Sequence, residues 1–283
     1  MEPALEKIFE EIENIPQFPK VVQKALEILR KEDVDFRELE KIIKSDPGIT
    51  ANFLKLVNSP VFELPQKVDS LLRAFMLLGI DQIRFILLSC VAKNYFEKDL
   101  KGYKLKAQEI WLHSITSGII AEEIALYIGL ARDEIESLYI ASILHDIGKI
   151  ILELFISSKI KGLQKLTEKD IKEDFSEIEW RFLGIDHALA GAYLLERWNF
   201  SKDIVFAIRV HHQPDLMTET QLASIVALSN VLATTIGIGG GIDAFNYKVS
   251  NHLLKTLNIK KENVEKILKK AFIKAILIKY EFL

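Results

Sequence analysis

Apolar residues recur along this chain at the three- and four-residue spacing of an α-helix, as Val22, Leu26 and Leu29 do near its start. No run of alternating β-branched residues between turn signals interrupts that pattern, so a substantial sheet is not expected. The sequence therefore predicts the all-α fold class, with the helices packed as a multi-helix bundle.

Signals for helix ends suggest how the bundle is divided. Asp46-Pro47 is typical of an N-cap followed by proline at the first helical position. Asp81 is expected to cap a later helix. A polar segment, residues 98–104, then separates an N-terminal helical part, residues 1–104, from a longer part, residues 105–283.

The composition excludes several classes of function. The formal net charge of −3 creates no general attraction to nucleic acid or to an anionic membrane. Cys90 is the single cysteine, which rules out an internal disulfide and favours a reducing, cytoplasmic compartment; we expect it to be a small core residue. Glutamine and asparagine are scarce beside abundant lysine and isoleucine, as in thermophilic proteins, although genomic base composition produces the same bias.

One uncharged stretch, Gln221–Ile242, is nominally long enough to cross a bilayer. It contains serines, threonines and Asn230, and it ends in a glycine-rich run. A buried core helix stopped by those glycines explains the stretch better than a membrane span does. The first residues are charged and lack the apolar segment of a signal peptide.

Histidines mark where chemistry is expected, because five of the six lie between positions 113 and 212. His145-Asp146 interrupts an apolar helix, and Lys149 follows one turn later. The other members are His113 with Glu109 one turn before it, His187, and the pair His211-His212.

Such a cluster is costly on apolar helices unless its members are paired, hydrogen-bonded or bound to metal. Imidazole and carboxylate groups from several helices can hold one or two first-row transition ions, and a metal can activate water against a phosphate ester. Each element has an alternative interpretation: the His-Asp pair as a helix cap or a surface pair, the tandem histidines as a helix end, and Glu109 as a solvated residue. Lys149 could simply extend its ammonium group from the bundle into solvent. We expect His252 to lie on the surface.

The sequence resembles a known family over roughly residues 12–215, and the remainder matches only loosely. The second half is similar to the HD superfamily of metal-dependent phosphohydrolases, in the residue order of its HD-GYP branch. The first half narrows the likeness to the HDOD domain. The segments that carry it are Ile15-Pro16-Gln17-Phe18-Pro19, Ser45-Asp46-Pro47-Gly48-Ile49-Thr50, Leu56-Val57-Asn58-Ser59-Pro60, Ala74-Phe75-Met76-Leu77-Leu78-Gly79, Trp111-Leu112-His113-Ser114 and Leu144-His145-Asp146-Ile147-Gly148.

This resemblance implies an N-terminal helical subdomain packed on an HD-type helical subdomain, in a bacterial signal-transduction module. It implies binding without established catalysis for HDOD members, whereas the HD-GYP branch hydrolyses cyclic di-GMP at a metal site. By position it implies six metal ligands, an extra ligand at Glu109 and a phosphate contact at Lys149. The six ligands are His113, His145, Asp146, His187, His211 and His212.

Two departures from the HD-GYP pattern weaken the expectation of hydrolysis. Asn230 stands where that branch supplies a final aspartate ligand, and a neutral amide is the weaker ligand. The Gly-Tyr-Pro segment is also missing, because His212 is followed by Gln213-Pro214. Metal binding, with iron, manganese, nickel or zinc, remains compatible with the donors.

Three functional hypotheses follow from these observations. The first is a regulatory module whose output is binding to a signalling protein; whether it forms a homodimer stays open. The second is a metal-dependent phosphohydrolase acting on a nucleotide or another phosphate ester. The third is a nucleotide-binding sensor that retains the pocket without turnover.

The C-terminal region adds a basic amphipathic helix. Eight lysines and two glutamates lie between Lys255 and Lys279, beside apolar residues at helical spacing. Its plain interpretation is a helix packed on the bundle with a lysine-rich outer face. The alternative is a contact surface for an acidic partner or an anionic lipid.

Overall fold

A computed structural model of the chain describes residues 3–131, 134–163, 174–239 and 249–282. Helices form nearly all of these segments, and the only β-type pairing among them is an isolated bridge between Leu100 and Leu105. The predicted all-α fold class is therefore confirmed. The helices are α1 Pro3–Asn14, α2 Lys20–Leu29, α3 Phe36–Lys44, α4 Pro47–Val57, α5 Leu71–Leu77, α6 Ile80–Tyr95, α7 Ala107–Ile128, α8 Ile135–Leu144, α9 Lys149–Leu163, α10 Phe175–Leu183, α11 His187–Arg197, α12 Lys202–Val210, α13 Gln221–Thr235, α14 Asn251–Thr256 and α15 Lys261–Phe282.

The two predicted helix starts have different outcomes. Asp46 caps α4 as expected, since its carboxylate accepts the Ile49 N–H at 2.9 Å and Pro47 is the first helical residue. Asp81 does not cap α6, because the extended Gly79 already occupies the cap position. Asp81 lies inside the first turn instead, where its carboxylate meets Arg84 at 2.9 Å.

The early helices pack on the later ones through apolar contacts and buried charge. Arg30, at the end of α2, donates to Glu136 of α8 at 2.6 Å, and the Arg84 guanidinium of α6 lies 3.5 Å from the same carboxylate. Glu136 is buried, so its two arginine partners offset the cost of removing that charge from water. These ion pairs anchor the start of α8, whose other end leads into His145.

Helix α7 lies at the centre of the later helices and contacts α8, α13 and α15. Helix α13 is buried along nearly its whole length, which confirms the core-helix interpretation of the uncharged stretch as far as residue 239; residues 240–242 fall outside the described part. None of the described helices combines the length and apolarity that a bilayer span needs.

The basic C-terminal region is two helices and not one. Asn258 has a left-handed φ of 52° between α14 and α15, so Lys255 lies on the shorter helix, before the break. Helix α15 packs on α7 through an apolar stripe that includes Ala271 and Ala275, both fully buried. Its outer face carries lysines, as the plain interpretation expects.

Candidate metal centre

The histidine cluster assembles where helix ends meet the face of α7. His145 and Asp146 follow directly after α8, His187 is the first residue of α11, and His211-His212 follow directly after α12. His113 projects from the second turn of α7. Each helix is fixed by its apolar stripe, so the polar residues at these positions converge on Asp146.

One oxygen of Asp146 faces the first group of donors, which we call the Oδ2 half. Its Oδ2 lies 3.4 Å from His145 Nε2 and 3.7 Å from His113 Nε2. The two imidazole Nε2 atoms are 3.3 Å apart, and Asn230 Oδ1 of α13 is 3.1 Å from His113 Nε2. The residue that departs from the HD-GYP pattern therefore belongs to this half.

The other oxygen faces a second group, the Oδ1 half. Asp146 Oδ1 lies 3.3 Å from His187 Nε2 and 4.0 Å from His211 Nε2. His212 Nε2 approaches His187 Nε2 to 3.0 Å. A single carboxylate thus stands between two sets of imidazoles, so each of its oxygens could serve as a ligand beside a different set.

Hydrogen bonds at the far ring nitrogens set the tautomers of four histidines. A carbonyl or carboxylate oxygen can only accept, so each of these contacts keeps a proton on Nδ1 and turns Nε2 toward Asp146. The contacts are His113 Nδ1 to Ile238 O at 3.0 Å, His145 Nδ1 to Ser142 O at 2.8 Å, His187 Nδ1 to Glu179 Oε2 at 2.7 Å and His211 Nδ1 to Ile208 O at 2.6 Å.

Burial and neighbouring charges shift the protonation of these groups. Burial lowers the pKa of His113 to about 4, and burial together with the surrounding imidazoles holds the pKa of His211 well below its ordinary range. Burial also opposes ionisation of Asp146, but His145 and Lys149 outweigh it and hold the Asp146 pKa well below its ordinary value. The neutral imidazoles and the ionised carboxylate are the forms that bind metal.

His187 behaves differently because it has a carboxylate on each side. Burial opposes its protonation, but Glu179 and Asp146 outweigh burial and raise the His187 pKa to about 10. Without a metal, a proton on His187 supplies positive charge that the two carboxylates require. A cation in the Oδ1 half supplies the same charge.

The donors fit a divalent transition ion. Asp146 Oδ1 and His211 Nε2 are buried atoms without a hydrogen-bond partner among the described residues. Buried polar atoms are normally paired, and His211 Nε2, whose ring keeps its proton on Nδ1, presents a lone pair to the centre. Nitrogen and carboxylate oxygen ligands suit iron, manganese, nickel and zinc, so the cluster is compatible with a metal site.

The structure brings all six predicted ligands together, with Lys149 beside them at 2.9 Å from Asp146 Oδ2. Glu109 does not join them. Its side chain is exposed, and its carboxylate accepts the Lys106 N–H at 2.8 Å, which closes the first turn of α7. That capping contact satisfies the carboxylate in water, so the prediction of an extra ligand at Glu109 is not supported by the structure.

Two residues of the centre were not predicted from the sequence. Glu179 holds His187 and had a detectable signal, because it lies on the apolar stripe of α10 one turn from both Phe175 and Leu183. Tyr103 donates a hydrogen bond to Glu179 at 2.5 Å and had no such signal, since it stands in the polar segment between α6 and α7.

The HDOD domain family matches residues 15–214. An uncharacterised protein of Treponema pallidum is 26% identical over 228 residues, which are 79% of this chain and 43% of that protein. Ribonuclease Y of Mycoplasmoides gallisepticum is 31% identical over 113 residues, covering 40% of this chain and 16% of the enzyme. The chain thus spans less than half the length of these relatives.

Solved structures with the same fold cover almost the whole chain. An HDOD domain protein of unknown function from Geobacter sulfurreducens has a TM-score of 0.72 at 22% identity, covering 99% of this chain and 93% of its own. A candidate phosphohydrolase from Shewanella amazonensis has a TM-score of 0.70 at 18% identity, covering 98% of both chains. The family match extends over more than two thirds of the sequence, and this chain belongs to the HDOD domain family.

Proposed function

We propose that this chain is a signal-transduction module whose His/Asp centre holds divalent transition metal ions and whose output is binding, not turnover. One observation carries the proposal. The Nε2 atoms of five histidines gather around the two oxygens of one buried carboxylate, Asp146, within the reach of shared ions.

The two halves of the centre would each hold one ion. His113, His145 and Asp146 Oδ2 form the first set of ligands. Asp146 Oδ1 and the remaining three histidines form the second. A bound ion of this kind supplies a Lewis acid that attracts phosphate oxygens and lowers the pKa of water. The protein's own contribution is to fix the tautomers, to exclude solvent and to place the charge of Asp146 between the halves.

Asn230 argues for unequal halves. The Oδ2 half has a neutral amide where a carboxylate is expected, so among the described residues its negative charge comes from Asp146, which it shares with the other half. We infer that the ion in the Oδ1 half binds tightly and the ion in the Oδ2 half binds weakly or is absent. A phosphoryl-transfer site that needs both ions would then be impaired.

Burial supports binding over turnover. The side chains of His113, His145, Asp146, His187 and His211 are at most 3% exposed. Lys149, the expected phosphate contact, is only 7% exposed and already pairs with Asp146. A phosphate ester could reach these groups only after the surrounding helices rearranged.

The phosphohydrolase alternative rests on Lys149. A buried cation beside a bridging carboxylate is where a phosphate would be held, and the HD superfamily includes hydrolases. Lys149 and the ions together would neutralise the charge of a phosphodiester, so the phosphohydrolase hypothesis has a defined substrate contact to test.

Hydrolysis of an aryl phosphodiester tests the two hypotheses. Wild type, Asn230→Asp and the control Asn230→Ala are each loaded with manganese or iron, and ion content is measured beside the rate. We expect negligible turnover by wild type and by the control, and a second ion in Asn230→Asp. Wild-type turnover near ordinary enzyme rates of about 1–10³ per second would overturn the binding function.

The proposal also includes a cytoplasmic location and a signalling protein as the partner. The single cysteine agrees with the first, and the likeness to HDOD modules implies the second. The activity and partners of any longer protein that contains this module belong to the proposal too.

A further inference from the structure

We propose that Tyr103 and Glu179 are positioning residues for the Oδ1 half of the centre, and that Tyr103 makes metal binding there depend on the segment joining α6 to α7. This inference rests on the proposed metal-binding function. Neither residue is a ligand, and both act through His187.

Glu179 fixes both the backbone and the ring of His187. Its Oε2 accepts the His187 backbone N–H at 2.8 Å and the Nδ1–H at 2.7 Å. The two contacts hold the start of α11 and the imidazole in one orientation. Because the acceptor is a carboxylate, it also makes the ring a stronger donor at Nε2, the atom that faces Asp146.

Tyr103 fixes Glu179 in turn. Its hydroxyl donates to Glu179 Oε1 at 2.5 Å, and the side chains of Tyr103, Glu179 and His187 are each at most 1% exposed. The Tyr103 ring packs on Phe175 at 5.3 Å and lies 6.5 Å from the His187 ring, edge to face. Without the hydroxyl, Oε1 would be a buried carboxylate oxygen short of one donor, and Glu179 would keep its contacts with His187 through Oε2 but lose the contact that fixes Oε1.

The chain around Tyr103 is built to hold it in place. Leu100 and Leu105 exchange backbone hydrogen bonds at 2.8 and 3.0 Å, which closes the segment into a tight loop. The Gly102 N–H donates to Glu153 of α9 at 2.9 Å. A Cβ on Gly102 would lie 2.7 Å from the Ile156 side chain, so only glycine lets the loop approach α9 this closely.

The consequence is a link between two parts of the molecule. The predicted boundary assigns Tyr103 to the N-terminal part, residues 1–104, whereas Glu179 and His187 belong to the HD-like part. Displacing the loop would remove the donor to Glu179 and loosen His187. A partner that moves this loop would thereby weaken the ion in the Oδ1 half and leave the Oδ2 half unchanged.

The experiment measures cobalt(II) binding to the Oδ1 half in a His113→Ala background, by competition with a chelator and by the visible absorption of bound cobalt. Tyr103→Phe removes only the hydroxyl, and Glu179→Gln removes the charge. Tyr139→Phe is the matched control, because the buried Tyr139 hydroxyl donates to Glu122 at 2.6 Å away from the centre.

We expect the affinity to fall about 10–100-fold in Glu179→Gln and about 10-fold in Tyr103→Phe, the usual range for residues that orient a ligand. The cobalt absorption should shift in both variants, which a general loss of stability would not produce. Tyr139→Phe should keep the affinity and spectrum of the background protein.

Unchanged affinity and spectrum in Tyr103→Phe, or an equal loss in Tyr139→Phe, would overturn the inference. If Tyr103→Phe does not fold, Glu179→Gln decides in the same way. Failure of wild type itself to bind any ion would instead overturn the proposed function, so the two failures are distinguishable.

Discussion

Among the glycines that the structure describes, Gly148 is the one where an added methyl group would lie nearest to other backbone atoms. It follows His145 and Asp146 of the candidate metal centre, and it touches the start of α11. A Cβ at this position would lie 2.0 Å from the carbonyl oxygen of His187 and 2.6 Å from the backbone nitrogen of Gly191. Both neighbours are backbone atoms, so neither can rotate away. Because Gly148 has no positive φ, the effect of Gly148→Ala is purely steric.

The size of the effect follows from these distances. Ordinary contact begins at 3.4 Å, so the helices would have to separate by about 1.4 Å. Overpacking of this kind costs about 3 kcal/mol, and the lower unfolded-state entropy of alanine returns about 0.4–1 kcal/mol. We therefore expect Gly148→Ala to lose at least about 2 kcal/mol of unfolding free energy, and to bind metal more weakly because His187 moves.

Urea unfolding of metal-free protein, followed by circular dichroism, measures this change without the contribution of ion binding. Gly79→Ala is the control, since a Cβ there meets nothing within 4 Å. It should change stability by less than about 1 kcal/mol. A loss below about 1 kcal/mol in Gly148→Ala, or an equal loss in the control, would refute the steric argument.

Three further predictions concern buried titratable groups. Burial opposes ionisation of Glu123, but Lys274 and Lys270 outweigh burial and lower the Glu123 pKa. Wild type should therefore be about 1 kcal/mol more stable than Glu123→Gln at neutral pH. Urea titrations should show this advantage vanish as the pH falls below 4.5, the ordinary pKa of a glutamate. An advantage that persists at low pH would exclude the ion pair as its source. Burial raises the pKa of Cys90 to about 12, so a thiol reagent should label it only after denaturation, and rapid labelling of native protein would contradict its burial. Glu136→Ala should lose about 3 kcal/mol in urea unfolding because it removes one of the two carboxylates that pair with Arg84, whose side chain is 12% exposed. A loss below about 1 kcal/mol would mean that Asp81 and solvent already compensate Arg84.

Much of the fold could be predicted because the buried face of a helix requires apolar residues at three- and four-residue spacing. The uncharged α13 is one example, and Asp46-Pro47 at the start of α4 is another, since capping is a local interaction. The break at Asn258 was missed because one left-handed residue hardly disturbs the lysine and apolar spacing on either side of it.

The cluster of candidate metal ligands could be predicted because ionisable residues on apolar helices are costly unless they meet a partner. The division of these residues into an Oδ1 half and an Oδ2 half could not be predicted, since it depends on which oxygen of Asp146 each helix end faces. Tyr103 illustrates the same limit. The polar sequence of its loop predicts a solvated connection, whereas in the structure the loop packs against α9 and α10. Glu109 was expected at the centre, but its carboxylate instead accepts the Lys106 N–H at the start of α7, a local contact that the histidine spacing does not reveal.

The number of metal ions bound per chain decides whether the His/Asp cluster is a metal centre. Wild type, His145→Ala, Asp146→Ala and the control His252→Ala are purified without chelator, loaded with iron, manganese, nickel or zinc, and analysed for ions per chain. His252 is exposed and lies outside the centre. We predict one or two ions per chain in wild type and in the control, and loss of most of them in His145→Ala and Asp146→Ala. Equal ion content in all four proteins, or no ion under any loading condition, would contradict the account and leave the cluster a hydrogen-bonded part of the core.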